Sequence, residues 1–211
     1  MRTFSRLDRI IDQLDQGLKS VLVPPPADPY PETVPREQDG LSPEERVLGG
    51  RLMRVNHAGE IAAQALYQGH ALCARDAHAY DTLRTAGRDE LQHLHWTAAR
   101  IKELKTHKSY LTPVWYLGSF AIGATTALLG DKVSLGFVAE TERQVIAHLQ
   151  GHLAKLPATD QKTRAIIEHM AADEARHAAS AMEAGGQPLP WPARLAMRLA
   201  ARVMTKTAFW I

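Results

Sequence analysis

The sequence predicts an all-α fold, a four-helix bundle with a crossover apolar helix and additional terminal helices. Three observations predict it. Apolar residues recur at three- and four-residue spacing along most of the chain, and no stretch alternates strictly between apolar and polar. Cap and turn residues punctuate the pattern at helix-length intervals. The chain also repeats itself, with DELQH at 89–93 and DEARH at 173–177.

Residues 4 to 22 place Leu7, Ile10, Ile11, Leu14 and Leu18 at helical spacing, which predicts a short amphipathic helix. Residues 23 to 43 carry Pro24, Pro25, Pro26, Pro29, Pro31 and Pro35, with Gly40, and predict an extended linker with no packing of its own. The chain is therefore divided into 1–42, helix and linker, and 43–211, the bundle domain with a basic last helix. Ser42, Pro43 and Glu45 together mark a helix start. Helices are expected near 43–80, 84–107, 112–130, 131–156, 159–184 and 190–208. Gly87 stands near one start, and Gly130, Pro157 and the pair Gly185–Gly186 mark breaks. The segment Leu111 to Gly130 has no charged residue but holds Pro113, Gly118 and Gly123; a buried or interfacial helix fits it as well as a membrane span.

Composition excludes several classes. The 211 residues suit one domain of substantial core plus extra segments. A formal net charge of +2 is too small to argue for nucleic-acid binding. The single cysteine, Cys73, excludes an intrachain disulfide and any Cys-rich zinc or iron centre, and reads as a reducing compartment. The first residues do not read as a secretory signal, because Asp8, Asp12 and Asp15 interrupt their apolar positions.

The chemistry lies in the repeat. Glu60 stands 30 residues before Glu90, and Glu142 stands 32 before Glu174, gaps that an antiparallel helix pair requires. On a helix, residues three apart share a face, so Glu90 with His93, and Glu174 with His177, can aim at one point. A bundle taking one Glu from each of two helices and Glu-x-x-His from each of the other two makes a dinuclear carboxylate site. Glu142 lies among Val138, Val145, Ile146 and Leu149, and Glu174 among Ile166, Ile167, Met170 and Ala181. Carboxylates on such apolar faces are costly unless neutralised, and two divalent cations would offset four of them. Oxygen and imidazole donors without thiolates suit iron or manganese.

Other assignments stay open at this point. His57-x-x-Glu60 could add a ligand from the first bundle helix. Glu140 cannot share the face of Glu142. His95, Glu168 and His169 read as solvated or as groups behind the ligands. His148 is a candidate neighbour of the site, with packing as its simpler role. Tyr67, seven residues after Glu60, could stand behind the ligands, relay electrons or fill the core.

RVNHAGEIAA at 54–63, DELQHLHW at 89–96, AETER at 139–143, DEARHA at 173–178 and FAIGATTALLG at 120–130 resemble the demethoxyubiquinone hydroxylases of the Coq7 type, which are ferritin-like di-iron carboxylate proteins. The resemblance covers about residues 43 to 211. It implies hydroxylation of the ring of a 2-polyprenyl-3-methyl-6-methoxy-1,4-benzoquinol, with dioxygen and two electrons, in ubiquinone biosynthesis at a membrane. Carried over by position, it implies two iron ions held by Glu60, Glu90, His93, Glu142, Glu174 and His177. The expected place is the cytoplasmic face of the inner membrane, peripherally bound. Two features agree: the apolar segment 111–130 with Trp115, Tyr116 and Phe120, and a stripe of Arg194, Arg198, Arg202 and Lys206 beside Leu195, Leu199, Val203, Phe209 and Trp210. A homo-oligomer and pathway-protein partners both remain compatible. The alternatives are another ferritin-like di-iron or di-manganese oxidoreductase, an iron-binding protein, and an interaction bundle with no metal.

Overall fold

The computed structural model describes residues 6–22, 26, 29–36 and 40–211. They form helices α1 (Arg6–Leu22), α2 (Pro43–Cys73), α3 (Ala77–Glu103), α4 (Thr112–Ala127), α5 (Asp131–Leu153), α6 (Gln161–Glu183) and α7 (Trp191–Trp210), and no strand occurs among them. The all-α expectation holds.

Local chemistry sets the boundaries. At the start of α2, Glu45 N–H donates to Ser42 Oγ at 3.2 Å and Ser42 N–H donates to Glu45 Oε2 at 2.8 Å. This reciprocal pair satisfies two of the orphaned donors of the first turn. The far end of α2 departs from expectation. The helix stops at Cys73, not near 80, and α3 starts at Ala77, not near 84. The cause is Asp131, whose carboxylate accepts from the backbone N–H groups of Arg75 at 3.0 Å and Asp76 at 2.7 Å. Asp76 in turn caps α3, accepting from Ala79 N–H at 3.0 Å. Gly87, expected near a helix start, is therefore in the middle of α3.

Helices α2, α3, α5 and α6 make the bundle. Two apolar clusters fill its ends. One gathers Leu52, Met53, Trp96, Ile101, Leu149, Ile166, Ile167 and Met170. The other gathers Tyr67, Ala71, Tyr80, Leu83, Leu135, Val138 and Ala181. On every bundle helix the residues between these clusters are the Glu and His positions of the repeat. The apolar ends hold a polar middle layer out of water.

Helix α4 lies across the outside of α2. A Cβ on Gly69 would come within 2.4 Å of Phe120 O, and one on Gly123 within 2.4 Å of Leu66 O. The two backbones touch, and only glycine allows that approach. The outer side of α4 keeps Val114, Leu117 and Ile122 exposed. Among the described residues no helix is long and apolar enough to cross a membrane.

Residues 29–36 of the proline-rich stretch pack on the bundle, contrary to their composition; residues 23–25, 27, 28 and 37–39 of the expected linker lie outside the described residues. Val34 and Tyr30 are buried in the first core cluster, and Trp96 Nε1–H donates to Pro29 O at 2.7 Å. Two apolar side chains, Tyr30 and Val34, dock this described part.

Candidate metal centre

The middle layer brings the Glu and His positions together. Single donor atoms of Glu60, Glu90, His93 and Glu174 all lie within 4.8 Å of one another, and all four residues are buried. His93 Nδ1 stands 3.2 Å from Glu174 Oε1, 3.3 Å from Glu90 Oε2 and 3.5 Å from Glu60 Oε2. His177 Nδ1 stands 3.0 Å from Glu174 Oε2 and 3.3 Å from Glu90 Oε1. Glu142, at 1% exposure, faces the same layer from α5, where the charges of Glu174 and Glu90 reach it. Tyr67 O–H donates to Glu142 Oε1 at 2.5 Å.

The outer nitrogens of both imidazoles are spoken for. His93 Nε2 lies 3.0 Å from Asp173 Oδ2, and His177 Nε2 lies 3.2 Å from Asp89 Oδ2. Each aspartate immediately precedes the Glu of one Asp-Glu-x-x-His and serves the histidine of the other. An ionised aspartate only accepts, so it fixes a proton on Nε2, and a cation in the layer would then find the Nδ1 lone pair turned inward. The sequence reading missed Asp89 and Asp173. Their signal was visible, because both copies of the repeat begin Asp-Glu.

Without a cation this layer is strained electrostatically. Burial, then the Glu90 charge, pushes the Glu60 carboxyl well above its usual range. Burial, then Glu174 and Glu90, does the same to Glu142. Burial also disfavours the ionised form of Glu90, but hydrogen bonds from Glu60, His177 and His93 outweigh it and hold Glu90 well below the usual range. Burial opposes protonation of His177, yet Glu174 and Glu90 push it up to about 11. Glu60 Oε2 and Glu90 Oε1 are buried and have only the long contacts to His93 and His177 Nδ1, none of them a well-directed hydrogen bond. One imidazole proton cannot serve three carboxylates, so protons satisfy this layer poorly. Divalent cations held by carboxylates and imidazoles would satisfy it, and the donor set fits that group.

The other candidates lie elsewhere. His57 is buried, its Nδ1 has no partner, and burial followed by Lys108 lowers it to about 3; no carboxylate of the layer acts on it. Glu140 accepts from Gln144 on its own helix at 2.8 Å. His169 pairs with Thr33 Oγ1 at 2.6 Å. His148 stacks edge-on with His152, ring centres 4.0 Å apart, away from the ligands.

Comparison with known proteins agrees with this geometry. The family model described as ubiquinone biosynthesis protein COQ7 matches residues 48–208. The chain belongs to the COQ7 family. A Nitrosospira multiformis relative, named 3-demethoxyubiquinol 3-hydroxylase, is 53% identical over 206 residues, covering 97% of this chain and 99% of the relative. Relatives of the same name from Burkholderia ambifaria and Burkholderia multivorans are 51% and 50% identical, with the same coverage. The COQ7 match spans all of α3 to α6 and most of α2 and α7, so every position of the buried Glu/His layer falls inside it.

Proposed function

We propose that this chain is a 3-demethoxyubiquinol 3-hydroxylase of ubiquinone biosynthesis. Its substrate is the 2-polyprenyl-3-methyl-6-methoxy-1,4-benzoquinol. One atom of dioxygen enters a ring C–H bond; the other leaves as water, with two electrons and two protons from an external reductant. The observation that carries this reading is the buried layer of four glutamates and two histidines, in a chain that shares half its residues with proteins of that name.

Two iron ions held by Glu60, Glu90, His93, Glu142, Glu174 and His177 would supply the activation of dioxygen. The protein's own part is positional. Asp173 and Asp89 hold the imidazoles with Nδ1 inward. Tyr67 steadies one oxygen of Glu142 and leaves the other free. The apolar clusters above and below exclude bulk water, which keeps the carboxylate–cation attraction strong.

The same reading places the protein peripherally on the cytoplasmic face of the inner membrane, where a polyprenyl quinol resides. Exposed Val114, Leu117, Leu128 and Leu129 at and beyond α4, and exposed Leu195, Leu199 and Val203 beside the basic row of α7, support it. Basic residues near an anionic surface each contribute about 1 kcal/mol. Co-sedimentation with anionic vesicles, lost at high salt or on neutral vesicles, is the expected result; equal binding to neither would remove the membrane placement.

The test of function is metal content followed by turnover. The expected result is about two irons per chain and a hydroxylated product from a short-tailed demethoxyquinol, dependent on oxygen and reductant. Two metals without product would move the function to another di-iron or di-manganese chemistry.

A further inference from the structure

Helix α1 is turned the opposite way from an ordinary surface helix. Leu7, Ile11 and Leu18 are 66%, 56% and 59% exposed, while Gln13 is 7% exposed. A surface helix normally turns its apolar stripe inward. Here a polar side faces the bundle, and it covers a cleft between α2 and α3. The cleft is lined by Gln13 of α1, Gln64, Tyr67 and Gln68 of α2, and Arg84 and Gly87 of α3. With α1 in place it has room for no more than about one water molecule.

The cleft leads to the metal layer. Gln64 is one turn beyond Glu60, and Gly87 is one turn before Glu90, so its floor lies roughly 5 Å along the helices from those ligands. Tyr67 lines the cleft and donates to Glu142. Two buried polar atoms point to a missing occupant. Gln64 Oε1 and Gln68 Nε2 have no hydrogen-bond partner among the described residues, in side chains 1% and 3% exposed. Leaving such a group unmet costs its full desolvation. Gln68 Oε1 is already engaged, accepting from Tyr116 O–H at 2.5 Å, which fixes the amide with its Nε2 free. At Gly87 a Cβ would sit 3.5 Å from Gln64 Oε1, an ordinary contact. Backbone packing does not demand glycine there; its missing side chain leaves the cleft floor open, although glycine weakens a helix interior relative to alanine.

The cover is held by polar contacts. Arg84 Nε–H and Nη2–H donate to Asp12 at 2.8 and 3.1 Å, and Tyr80 O–H donates to Asp12 Oδ2 at 2.9 Å. Moving α1 aside breaks these contacts and exposes polar groups that water can satisfy.

We propose that this cleft is the seat of the quinol ring, with Gln64 Oε1 accepting from a ring hydroxyl and Gln68 Nε2–H donating to a ring oxygen, and with α1 as the cover that lifts to admit it. A dihydroxy-methoxybenzene offers both a donor and acceptors and is flat enough to lie along the Tyr67 side of the cleft. The inference rests on the reading of the substrate as a demethoxyubiquinol.

The test uses the full-length protein loaded with ferrous iron and held anaerobic, titrated with a short-tailed demethoxyquinol and followed by tryptophan fluorescence. Gln64→Leu and Gln68→Leu each weaken binding at least tenfold, the ~1.4 kcal/mol of one hydrogen bond, with wild-type iron content. Gly87→Val fills the floor while leaving both amides in place, and also weakens binding at least tenfold. Asp12→Ala, which unseats α1, speeds association of the analogue. Wild-type affinity in both glutamine variants overturns the proposal; should either lose iron, wild-type affinity in Gly87→Val overturns it instead. If the wild type hydroxylates the analogue while all variants bind it equally, only the cleft assignment falls. If the wild type yields no hydroxylated product, the reading of the substrate falls and the cleft assignment with it.

Discussion

Asp173 Oδ2 stands 3.0 Å from His93 Nε2, joining two residues 80 positions apart across the bundle. The mirror contact, Asp89 to His177 at 3.2 Å, is more open: the Asp89 side chain is 40% exposed against 18% for Asp173. Burial alone would raise the Asp173 carboxyl, but the hydrogen bonds from His93 and Arg176 outweigh it and lower it. Removing a carboxylate that orients a metal-binding imidazole typically costs 10–100-fold in metal affinity. Asp173→Ala should fall at the upper end of that range and Asp89→Ala at the lower. Iron titrations of the two variants measure the order, and equal losses would show that exposure does not grade the two contacts.

Metal removal should cost stability as well as activity. A ligand bound at a hundred times its Kd stabilises by about 2.7 kcal/mol. For a chain of this size that corresponds to a Tm fall of roughly 5–10 °C on chelation. Calorimetry before and after anaerobic chelation checks it. An unchanged Tm would mean that the layer holds no metal tightly.

The architecture and the six Glu/His positions were legible because bundle geometry is periodic. Thirty-residue gaps and i, i+3 pairs follow from helix pitch alone. What was not legible depended on contacts between distant residues. The break at Cys73 is made by Asp131, which lies more than fifty positions away. The docking of Tyr30 depends on Trp96 and Glu103 of α3, where Tyr30 O–H donates to Glu103 Oε1 at 3.1 Å. The inverted seating of α1 could not be read from its apolar spacing, since the spacing gives a stripe without saying which way it faces. Asp89 and Asp173 escaped because their partners sit in the other copy of the repeat.

Acid should destabilise the protein through histidines outside the metal layer. Burial, then repulsion from His148 and Lys155, lowers His152 to about 2. Its usual value is near 6.5. Above 6.5 neither folded nor unfolded state binds the proton, so there is no penalty. As pH falls below 6.5 the unfolded chain takes up a proton that the folded one refuses, and stability drops by about 1.4 kcal/mol per pH unit. His152→Leu removes that share. Urea melts of both metal-free proteins from pH 7 to 4 should show the wild type losing more, with the gap widening as pH falls; parallel curves would mean that His152 takes up its proton in the folded state.

Glu142→Gln separates the carboxylate's role in binding metal from its role in the fold. The substitution keeps shape and an oxygen for Tyr67 O–H while removing the charge. Because the folded-state pKa of Glu142 is raised by burial and by Glu174 and Glu90, its penalty on the metal-free fold is absent below the unfolded value near 4.5 and grows as pH rises above it. At pH 7 the metal-free variant should therefore be as stable as metal-free wild type, or more so. It should also have lost iron and turnover, with helix content intact. Adding iron should stabilise the wild type and leave the variant's Tm nearly unmoved. A Glu142→Gln protein that kept full iron and full turnover would remove Glu142 from the ligand set.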